Sequence, residues 1–337
     1  MDLDGDGVKD LISGSWPGEI FFFKGRGQGQ FDAPIKLKDK SGKTINIGGG
    51  VRQNDDRELL IAGDAKFEQK DGKQYIVYED QRFELKPNQG GGITGTASAV
   101  HVADLNGDGT PDLVVGNIRG EVYFVPNEGT AKAWAFGKEQ KLAAGGAAIN
   151  VNAQAGPFVA DWDGDGKLDL LLGAGDGSVT FYRNTGAIDQ QTKLPVFAAG
   201  HVLVPKAAQP VYGPGAPAQP TRGVRAKICV ADFNGDGRPD LLLGDLTVQK
   251  PNLPEPTAAQ KAEYEKLQAQ IKELQPRYDE AAGKYFTSRG KNMTAEEREK
   301  MQKEFMDVSQ QMQTLRQKLP REYEQHGWVW LFLRKPG

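Results

Sequence analysis

Short apolar runs that end in glycine recur four times along the chain. They stand at Leu11–Gly14, Leu113–Gly116, Leu170–Gly173 and Leu241–Gly244. A second run with alternating apolar residues follows the first three of them, at Glu19–Lys24, Glu121–Pro126 and Ser178–Arg183. Runs of this length, rich in Val, Leu and aromatic residues and bounded by Gly, Asn and Asp, are typical of β-strands. The pattern therefore predicts repeated pairs of neighbouring strands.

Further apolar runs lie before and after these paired runs. An apolar run precedes the second, third and fourth glycine-ended runs, at Ala99–Ala103, Pro157–Ala160 and Ala226–Ala231, and weaker fourth runs follow at 31–37 and 197–204. Each repeat is then a small antiparallel meander, and meanders in series are typical of a β-propeller with one blade per repeat. The predicted fold class is all-β: a β-propeller with at least four blades, as a closed ring or as part of one.

A nine-residue acidic loop leads into each glycine-ended run. The loops are Asp2–Asp10 (loop 1), Asp104–Asp112 (loop 2), Asp161–Asp169 (loop 3) and Asp232–Asp240 (loop 4). Counted from its first Asp, each loop has a carboxylate or amide oxygen at positions 1, 3, 5 and 9 and glycine at positions 4 and 6. A pattern that recurs four times with the same strand after it indicates a true internal repeat.

The spacing between the loops leaves room for inserted segments. Residues 48–95 separate the first two repeats, and we interpret them as a small β excursion or a divergent blade. Within them, Asp71 and Gly72 lie between the two alternating runs of Lys66–Tyr78. An Asp-Gly pair in this setting predicts a two-residue hairpin.

A helical segment interrupts the fourth repeat. Apolar residues recur at spacings of three and four over Tyr264–Tyr285 and over Met301–Leu319, which predicts two heptad-patterned helices in an antiparallel hairpin. Thr294–Glu297 has the sequence of a capping box before the second helix. We expect Pro276 to kink or break the first helix and Ser288–Asn292 to connect the two.

The chain returns to a strand pattern at Trp328–Leu333, which we expect to replace the third strand missing from the fourth repeat. The predicted domains are a propeller at 1–253 plus 327–337 and a helical hairpin inserted at 254–326. The hairpin has two interpretations. We favour a self-contained spur whose apolar positions pack only on each other; the alternative is a coiled coil that binds a partner or dimerises.

Charge and composition exclude several classes of protein. Lys and Arg total 42 against 45 Asp and Glu, a formal net charge of −3, which argues against nucleic-acid binding through a basic surface. No apolar run approaches the roughly 18 residues of a membrane-spanning helix, so we expect no membrane span. A single cysteine excludes a disulfide framework and cysteine-ligated zinc.

The acidic loops are candidate metal sites. In loop 2 the side chains of Asp104, Asn106, Asp108 and Asp112, with the backbone carbonyl of Thr110, converge if the glycines let the chain curl around a point. Many oxygen ligands in a flexible loop favour Ca²⁺ over Mg²⁺ or a transition metal. The loop is not an EF-hand or a dockerin-type loop, because no Glu stands at position 12 and a strand follows.

The alternative is a metal-free turn, because Asp-Gly and Asn-Gly form turns readily. Two features favour the metal site instead. A turn of this kind does not require an acidic residue at position 9 in every loop, and carboxylates gathered without a cation repel one another.

The segments Ala103–Gly116 and Ala231–Gly244 resemble the FG-GAP/VCBS repeat, the calcium-binding blade of integrin-α-like propellers. The resemblance covers most of 1–253 and 327–337, and its loop motif is specific. It implies up to four Ca²⁺ ions, each held by the side chains at positions 1, 3, 5 and 9 and the backbone carbonyl at position 7. The implied ligands are Asp2, Asp4, Asp6, Val8 and Asp10; Asp104, Asn106, Asp108, Thr110 and Asp112; Asp161, Asp163, Asp165, Lys167 and Asp169; and Asp232, Asn234, Asp236, Arg238 and Asp240.

The resemblance also implies a location. Members of the family are mostly extracellular or periplasmic, where free Ca²⁺ is high, and the layout is similar to that of secreted bacterial VCBS-repeat proteins. Family rings usually have more than four blades, and this sequence opens at Met1 inside a blade, without a first strand or a signal peptide. We therefore expect a part of a longer secreted protein. The alternatives are a divergent blade within 45–98 and closure by Trp328–Leu333.

The predicted function is that of a non-catalytic scaffold that presents its loops to a protein or glycan ligand, as in adhesion. The resemblance implies binding, and the strongly patterned chemistry lies in the metal loops. The alternative is a propeller domain of a secreted polysaccharide-active enzyme. Trp16 and Trp134 offer rings for stacking on sugars, although packing between blades is the commoner role of such residues.

Residues outside the loops offer little for catalysis. We expect His101 in the core or at an interface, His201 and His326 at solvent-facing edges, and Asp55–Arg57 in a turn. Cys229 lies in an apolar strand, which predicts an inert buried thiol.

Overall fold

The computed structural model describes residues 2–47, 50–52, 58–59, 66–71, 73–78, 81–85, 93–94, 98–287 and 294–335. Within these residues the chain is mostly β, with several antiparallel sheets and two helices. At this level the fold class predicted from the sequence is confirmed.

Most strands are short. The first eleven are β1 (Leu11–Gly14), β2 (Ile20–Phe23), β3 (Gly25–Gly27), β4 (Gln30–Phe31), β5 (Ile35–Lys36), β6 (Gly50–Arg52), β7 (Glu58–Leu59), β8 (Lys66–Lys70), β9 (Lys73–Tyr78), β10 (Gln81–Leu85) and β11 (Ile93–Thr94). The next nine are β12 (Ala99–Ala103), β13 (Asp112–Gly116), β14 (Val122–Val125), β15 (Gln140–Lys141), β16 (Ala143–Ala144), β17 (Ala147–Ala148), β18 (Gly156–Ala160), β19 (Asp169–Gly173) and β20 (Val179–Tyr182). The remaining elements are β21 (Asn184–Ile188), β22 (Pro195–Phe197), β23 (His201–Val204), β24 (Val224–Ala231), β25 (Asp240–Gln249), α1 (Ala258–Thr287), α2 (Ala295–Arg316), β26 (Glu324–His326) and β27 (Val329–Phe332).

Four sheets repeat one arrangement, and we call them repeats 1 to 4. Their strand orders are β1-β2-β5, β12-β13-β14-β15, β18-β19-β20-β23, and β24-β25-β26 with β27 also beside β25. In every repeat the first residue after the acidic loop pairs with an equivalent residue, at or next to the end of the neighbouring strand. The pairs are Leu11 with Phe23, Leu113 with Val125, Leu170 with Tyr182 and Leu241 with Phe332. β27 therefore takes the place of the missing strand of repeat 4, as the sequence predicted.

The hairpin predicted at Asp71 is confirmed. β8 and β9 pair with Lys70 opposite Lys73, and Asp71 has a φ of 53°, which a tight hairpin turn requires. β10 lies on the other side of β9, and β11, β6 and β7 form a further small sheet. The rest of the predicted 48–95 excursion falls outside the described residues.

The glycine at the end of the apolar run in repeats 1, 2 and 3 lets the next repeat pack closely on it. An ideal Cβ would lie 2.2 Å from the backbone oxygen of Ser98 at Gly14, 2.2 Å from that of Ala155 at Gly116, and 2.4 Å from that of Ala226 at Gly173. Such distances are far shorter than any packed contact between heavy atoms. The glycines are therefore required by the packing of one repeat against the next.

Apolar side chains of neighbouring repeats share one core. Val114 and Phe124 of repeat 2 belong to the same buried cluster as Leu170 and Leu172 of repeat 3. All four are at most 1% exposed. The short strands are thus stabilised mainly by burial between repeats, at about 25 cal/mol for each Å² of apolar surface.

The two helices contact each other in an antiparallel pair. The rings of Tyr285 and Phe305 stack at 5.0 Å, and Arg316 lies near Gln275 toward the other end of the pair. The capping box at Thr294 is confirmed, since its side chain accepts from the N–H of Glu297 while the Glu297 carboxylate accepts from the N–H of Thr294. α1 runs through Pro276 without ending there, and the predicted connection at Ser288–Asn292 lies outside the described residues.

The chain forms two compact parts, each of which has most of its residue contacts within itself. The first comprises Met1–Pro210, Pro220–Val248 and Gln325–Gly337, and it holds the four acidic loops. The second comprises Val211–Gln219 and Gln249–Glu324 and holds both helices. Neither helix is long and apolar enough to cross a membrane, within the residues that the structure describes.

The prediction of a buried thiol at Cys229 is wrong. Cys229 is exposed. The residues at its register in repeats 2 and 3 are His101 and Phe158, whose rings pack against each other at 4.3 Å across neighbouring repeats. No described residue packs in the same way on Cys229, so its strand turns that side chain to solvent.

Candidate metal centre

All eight loop glycines have the backbone conformation that the curled loop requires. Their φ angles lie between 70° and 89°, in the left-handed region that residues with a Cβ rarely adopt. The glycines are Gly5, Gly7, Gly107, Gly109, Gly164, Gly166, Gly235 and Gly237. The predicted curl of the loop is confirmed, and it follows from the residue type at positions 4 and 6.

The Asp at position 1 accepts hydrogen bonds from backbone N–H groups of its own loop. In loop 2, Asp104 Oδ1 accepts the N–H of Asp108 at 3.0 Å and Asp104 Oδ2 accepts the N–H of Gly109 at 2.9 Å. The position 1 carboxylates of the other loops accept the same two bonds. The loop is therefore held in one shape by its own amides, as in other Asx turns.

The Asp at position 9 joins the loop to the sheet. Asp112 Oδ2 accepts the N–H of Leu105 at position 2, and Asp112 Oδ1 accepts the N–H of Asn127 at 2.8 Å, just beyond β14. The same pair of bonds occurs in the other three loops. Burial raises the pKa of Asp112 to about 6, although the bond from Asn127 opposes this shift.

These bonds give position 9 a structural role that the sequence did not reveal. An apolar residue there would leave both of these N–H groups without an acceptor, which is costly for buried groups. The recurrence of Asp at position 9 is therefore explained without a cation. The evidence for a metal must come from the other positions and from how the carboxylates converge.

Carboxylates converge in loops 1 and 3. One oxygen from each member of the set Asp2, Asp4 and Asp10 lies within 4.8 Å of the others, and the same holds for Asp161, Asp163 and Asp169. These sets comprise positions 1, 3 and 9 of the predicted ligands. Asn stands at position 3 in loops 2 and 4, so those loops gather fewer charges.

The carboxylate at position 5 contacts basic side chains in loops 1 and 3. In loop 1, Asp6 lies 2.5 Å from the ammonium group of Lys24, whose hydrogen bond lowers the pKa of Asp6. In loop 3, Asp165 contacts Lys167 at 2.7 Å and Arg183 at 3.2 Å, and the Lys167 bond is the main cause that lowers the pKa of Asp165.

Loops 2 and 4 replace these cations with an amide. The side chain of Asn106 donates to Asp108 at 2.8 Å, and that of Asn234 donates to Asp236 at 3.1 Å. The position 5 carboxylate therefore has a side-chain donor in all four loops, an ammonium or guanidinium group in two and an amide in two.

The residues at position 7 are placed by their own backbone. The N–H of each donates to the position 5 carboxylate, at 2.8–3.0 Å. They are Val8, Thr110, Lys167 and Arg238. The role of their carbonyl oxygens as ligands stays a prediction.

Sequence reasoning missed Lys24 and Arg183. Each stands directly after the strand that follows its repeat's glycine-ended run. The signal was present in the sequence, since a basic residue occurs there only in the two repeats whose loops have Asp at position 3. Lys24 and Arg183 reach their loops because β2 and β20 end beside loops 1 and 3.

The histidines and tryptophans that the sequence analysis considered differ in their surroundings. Burial lowers the pKa of His101 to about 4, in agreement with the predicted interface position. His201 is exposed, and His326 stacks on Trp328. The indole N–H of Trp134 donates to the backbone oxygen of Leu3 at 3.1 Å, and its ring meets Phe22.

Trp16 is 63% exposed. Asp55–Arg57, which the sequence places in a turn, lies outside the described residues.

The arrangement defines a class: a chain of antiparallel sheets in series, in which an Asp-rich loop leads into the same strand of each of the four repeats. The FG-GAP-like repeat model matches this chain at residues 53–115, 104–172 and 161–243, more than half of its length. The chain belongs to the FG-GAP-like repeat family, which confirms the resemblance seen in the sequence.

Similarity to other proteins is more distant. A structure of an Agrocybe aegerita lectin that recognises non-reducing terminal N-acetylglucosamine has 20% identity and a TM-score of 0.31, over 72% of this chain and 58% of the lectin chain. The chain thus spans less than two thirds of the lectin's length. Two chains from crystals of BBS1N in complex with ARL6DN, soaked with lead and with mercury, have 16% and 14% identity and TM-scores of 0.23 and 0.25. Each match covers 72% of this chain, and it covers 76% and 74% of the respective BBS1N–ARL6DN chain.

No curated protein sequence matches the chain. TM-scores this low do not establish a shared fold, so family membership rests on the repeats.

Proposed function

We propose that the four repeats are blades of a β-propeller stabilised by Ca²⁺, and that the propeller is a non-catalytic scaffold for binding a protein or glycan. The observation that carries the calcium part is the convergence of three carboxylates in loop 1 and again in loop 3. Family membership and the close packing of one repeat on the next support the propeller part.

The donor set fits a hard cation. Every candidate side-chain ligand is a carboxylate or amide oxygen, and no sulfur or imidazole lies in the loops. The carboxylates at positions 1 and 9 are held by backbone N–H groups, so their positions are set before any ion arrives. The side chains at positions 1, 3 and 9 would hold Ca²⁺, together with position 5 where its donor is displaced.

When bound, Ca²⁺ supplies two positive charges that offset the repulsion between the gathered carboxylates. The benefit goes to the folded state, because only the folded loop brings the carboxylates together. Stabilisation at one site grows with the logarithm of the ion concentration, to about 2.7 kcal/mol at a hundred times the dissociation constant.

Thermal melting tests this proposal. Protein freed of metal with EDTA and then given millimolar Ca²⁺ is expected to melt several degrees higher, with a much smaller rise in Mg²⁺. Identical melting curves with EDTA and with Ca²⁺ contradict calcium binding.

A matched pair of variants separates metal binding from loop structure. Asp4→Ala with Asp163→Ala removes a carboxylate from each convergent set, whereas Asp189→Ala removes an Asp that accepts two backbone N–H groups in a turn outside the loops. The melting temperature of each variant in EDTA gives the effect of the substitution on the metal-free protein. Only the loop variant is expected to lose most of the rise that Ca²⁺ produces.

The scaffold role and the location are tested by binding. We propose an extracellular or periplasmic site of action, where free Ca²⁺ is high enough to fill the loops. A glycan array and a pull-down with Ca²⁺-loaded protein are expected to give a ligand whose binding is lost in EDTA. Cleavage of a polysaccharide by the pure protein would instead support the enzymatic alternative.

A further inference from the structure

The four loops fall into two kinds. They differ at position 3 of the loop and at the residue that follows the neighbouring strand, and the two residues change together. Loops 1 and 3 have Asp at position 3, and the residue after the neighbouring strand is Lys24 or Arg183. Loops 2 and 4 have Asn at position 3, and the residues at the same register are Pro126 and Leu333. The register is fixed by strand pairing, since each of these residues directly follows the partner of the first residue after the loop.

The extra carboxylate and the extra cation are in contact. Lys24 binds the carboxylates of Asp4 and Asp6. Arg183 spans Asp163, at 2.7 Å, and Asp165, at 3.2 Å. The two basic groups thus lie on positions 3 and 5 of their loops.

The two changes compensate in charge. When only the loop carboxylates and the residue at this register are counted, four carboxylates with one cation give the same formal net charge as three carboxylates with none. Lysine and arginine side chains are both positively charged at neutral pH. Lys167 adds a second contact to Asp165 in loop 3.

We propose that Lys24 and Arg183 are tethered cations that occupy the carboxylates of loops 1 and 3 and must leave them before Ca²⁺ binds fully. The inference rests on the proposed calcium binding, and it adds a feature that sets how strongly loops 1 and 3 bind Ca²⁺. Calcium binding at these two loops is weakened by the competition, whereas loops 2 and 4 have no such competitor among the residues that the structure describes. Loss of the tethered cation therefore tightens binding at its own loop and leaves the other loops unchanged.

The expected change in the Ca²⁺ dissociation constant follows from how exposed the side chains of Arg183 and Lys24 are. The side chain of Arg183 is 56% exposed and that of Lys24 is 32% exposed. Solvent screens such pairs, so each contact is weak. Two contacts per cation predict a change in the dissociation constant of about threefold to tenfold.

The test uses the intact chain and Ca²⁺ as the ligand. Arg183→Leu installs at loop 3 the residue that repeat 4 has at the same register, and it is expected to lower the dissociation constant of loop 3 about threefold to tenfold. Titration calorimetry gives the total binding. Luminescence of Tb³⁺, a Ca²⁺ analogue, excited through tryptophan reports loop 3 through Trp162 at its position 2. Asp4→Ala is introduced into both proteins to suppress the signal from loop 1, which Trp134 contacts at Leu3.

Three controls accompany Arg183→Leu. Arg183→Lys keeps the charge at the register and is expected to bind as the parent protein does. Lys206→Leu removes one exposed positive charge away from the loops and is expected to change nothing. Leu333→Lys introduces a tethered cation at repeat 4, where Leu333 is 51% exposed, and is expected to weaken loop 4.

The outcomes separate the inference from the proposed function. If no loop binds Ca²⁺ in the parent protein, both fail. If the loops bind but Arg183→Leu leaves loop 3 unchanged, or if Lys206→Leu tightens it equally, only the tethered-cation proposal is overturned. Melting in EDTA confirms that each variant folds, and tightening by Arg183→Leu with no effect of Lys206→Leu supports the proposal.

Discussion

Asp240 and Arg334 are 94 positions apart, yet the N–H of Arg334 donates to Asp240 Oδ1 at 2.8 Å. In the other repeats the same bond joins residues only 15 positions apart: Asp10 with Gly25, Asp112 with Asn127 and Asp169 with Asn184. Between Asp240 and Arg334 the chain makes both helices before it returns as β27. The helices are therefore inserted inside repeat 4, and Asp240 holds the two halves of that repeat together.

Asp240→Asn is expected to destabilise the protein even when no metal is present. Asp240 is fully buried and accepts the N–H groups of Phe233 and Arg334. An amide presents only one oxygen, so one buried N–H loses its acceptor and faces an NH₂ group, at a cost of about 1–3 kcal/mol. Urea unfolding in EDTA measures this cost.

Asp236→Asn is the control for that experiment. Asp236 belongs to the same loop but is exposed, and an amide oxygen can still accept the N–H of Arg238. Its free energy of unfolding in EDTA is expected to change by less than about 0.5 kcal/mol. Equal losses from Asp240→Asn and Asp236→Asn would show that position 9 has no special structural role.

Gly173→Ala and Gly244→Ala are expected to have opposite effects, although they alter the same position of two repeats. A Cβ on Gly173 would meet the backbone oxygen of Ala226 at 2.4 Å, whereas a Cβ on Gly244 comes no closer than 3.7 Å to the backbone oxygen of Lys227. The first change forces two repeats apart, at about 1–3 kcal/mol. The second has room for the methyl group and reduces the freedom of the unfolded chain, a gain of about 0.4–1 kcal/mol.

Chemical denaturation of the two glycine variants measures the difference. Comparable destabilisation by both would mean that the glycines serve the strand itself and not the packing of the next repeat.

His101 is expected to make stability depend on pH. Burial lowers its pKa to about 4 in the folded protein, below about 6.5 in the unfolded chain. The unfolded state therefore binds more protons between these values, and stability falls as pH decreases from about 6.5 to about 4. At roughly 1.4 kcal/mol for each pKa unit, the loss approaches about 3.5 kcal/mol.

The matched variant is His101→Phe, because Phe158 occupies the same register in the next repeat. The difference between parent and variant in free energy of unfolding, measured in EDTA at pH 7.5, 5.5 and 4.5, isolates the histidine from the acidic loops. A difference that does not change with pH would contradict a buried neutral imidazole.

Cys229 is expected to react in the native protein. Its exposed side chain makes a maleimide reagent accessible to the thiol without unfolding. Labelling followed by mass spectrometry is expected to give one complete addition in native buffer at a rate close to that in urea. A thiol that reacts only in urea would favour the buried position predicted from the sequence.

Much of the fold could be predicted from the sequence because its signals are local. Alternation of apolar residues marked the strands, Asp71 and Gly72 marked a hairpin, and Thr294–Glu297 marked a helix start. The pairing of β27 with β25 was also predictable, since the repeat pattern showed which strand was missing. The register of the strands then follows from the repeat itself.

The candidate site was predictable only in part. The sequence identified the acidic residues and the glycines that curl each loop. It did not show that the position 9 carboxylates bind backbone amides of the sheet, because those amides lie beyond the following strands. It also did not show that Asp6 and Asp165 have cationic partners, because Lys24 and Arg183 approach the loops only after the strands pair.

The amino-acid sequence by itself therefore determined the number of repeats, the shape of each loop and the residue types available to a cation. These features depend on backbone preferences and hydrogen bonds within a few residues. Only the tertiary structure decided which carboxylates converge, which are engaged by Lys24 and Arg183, and which side chains, such as Cys229, face solvent. Those outcomes depend on which distant segments pack against a residue, and composition and spacing do not encode that directly.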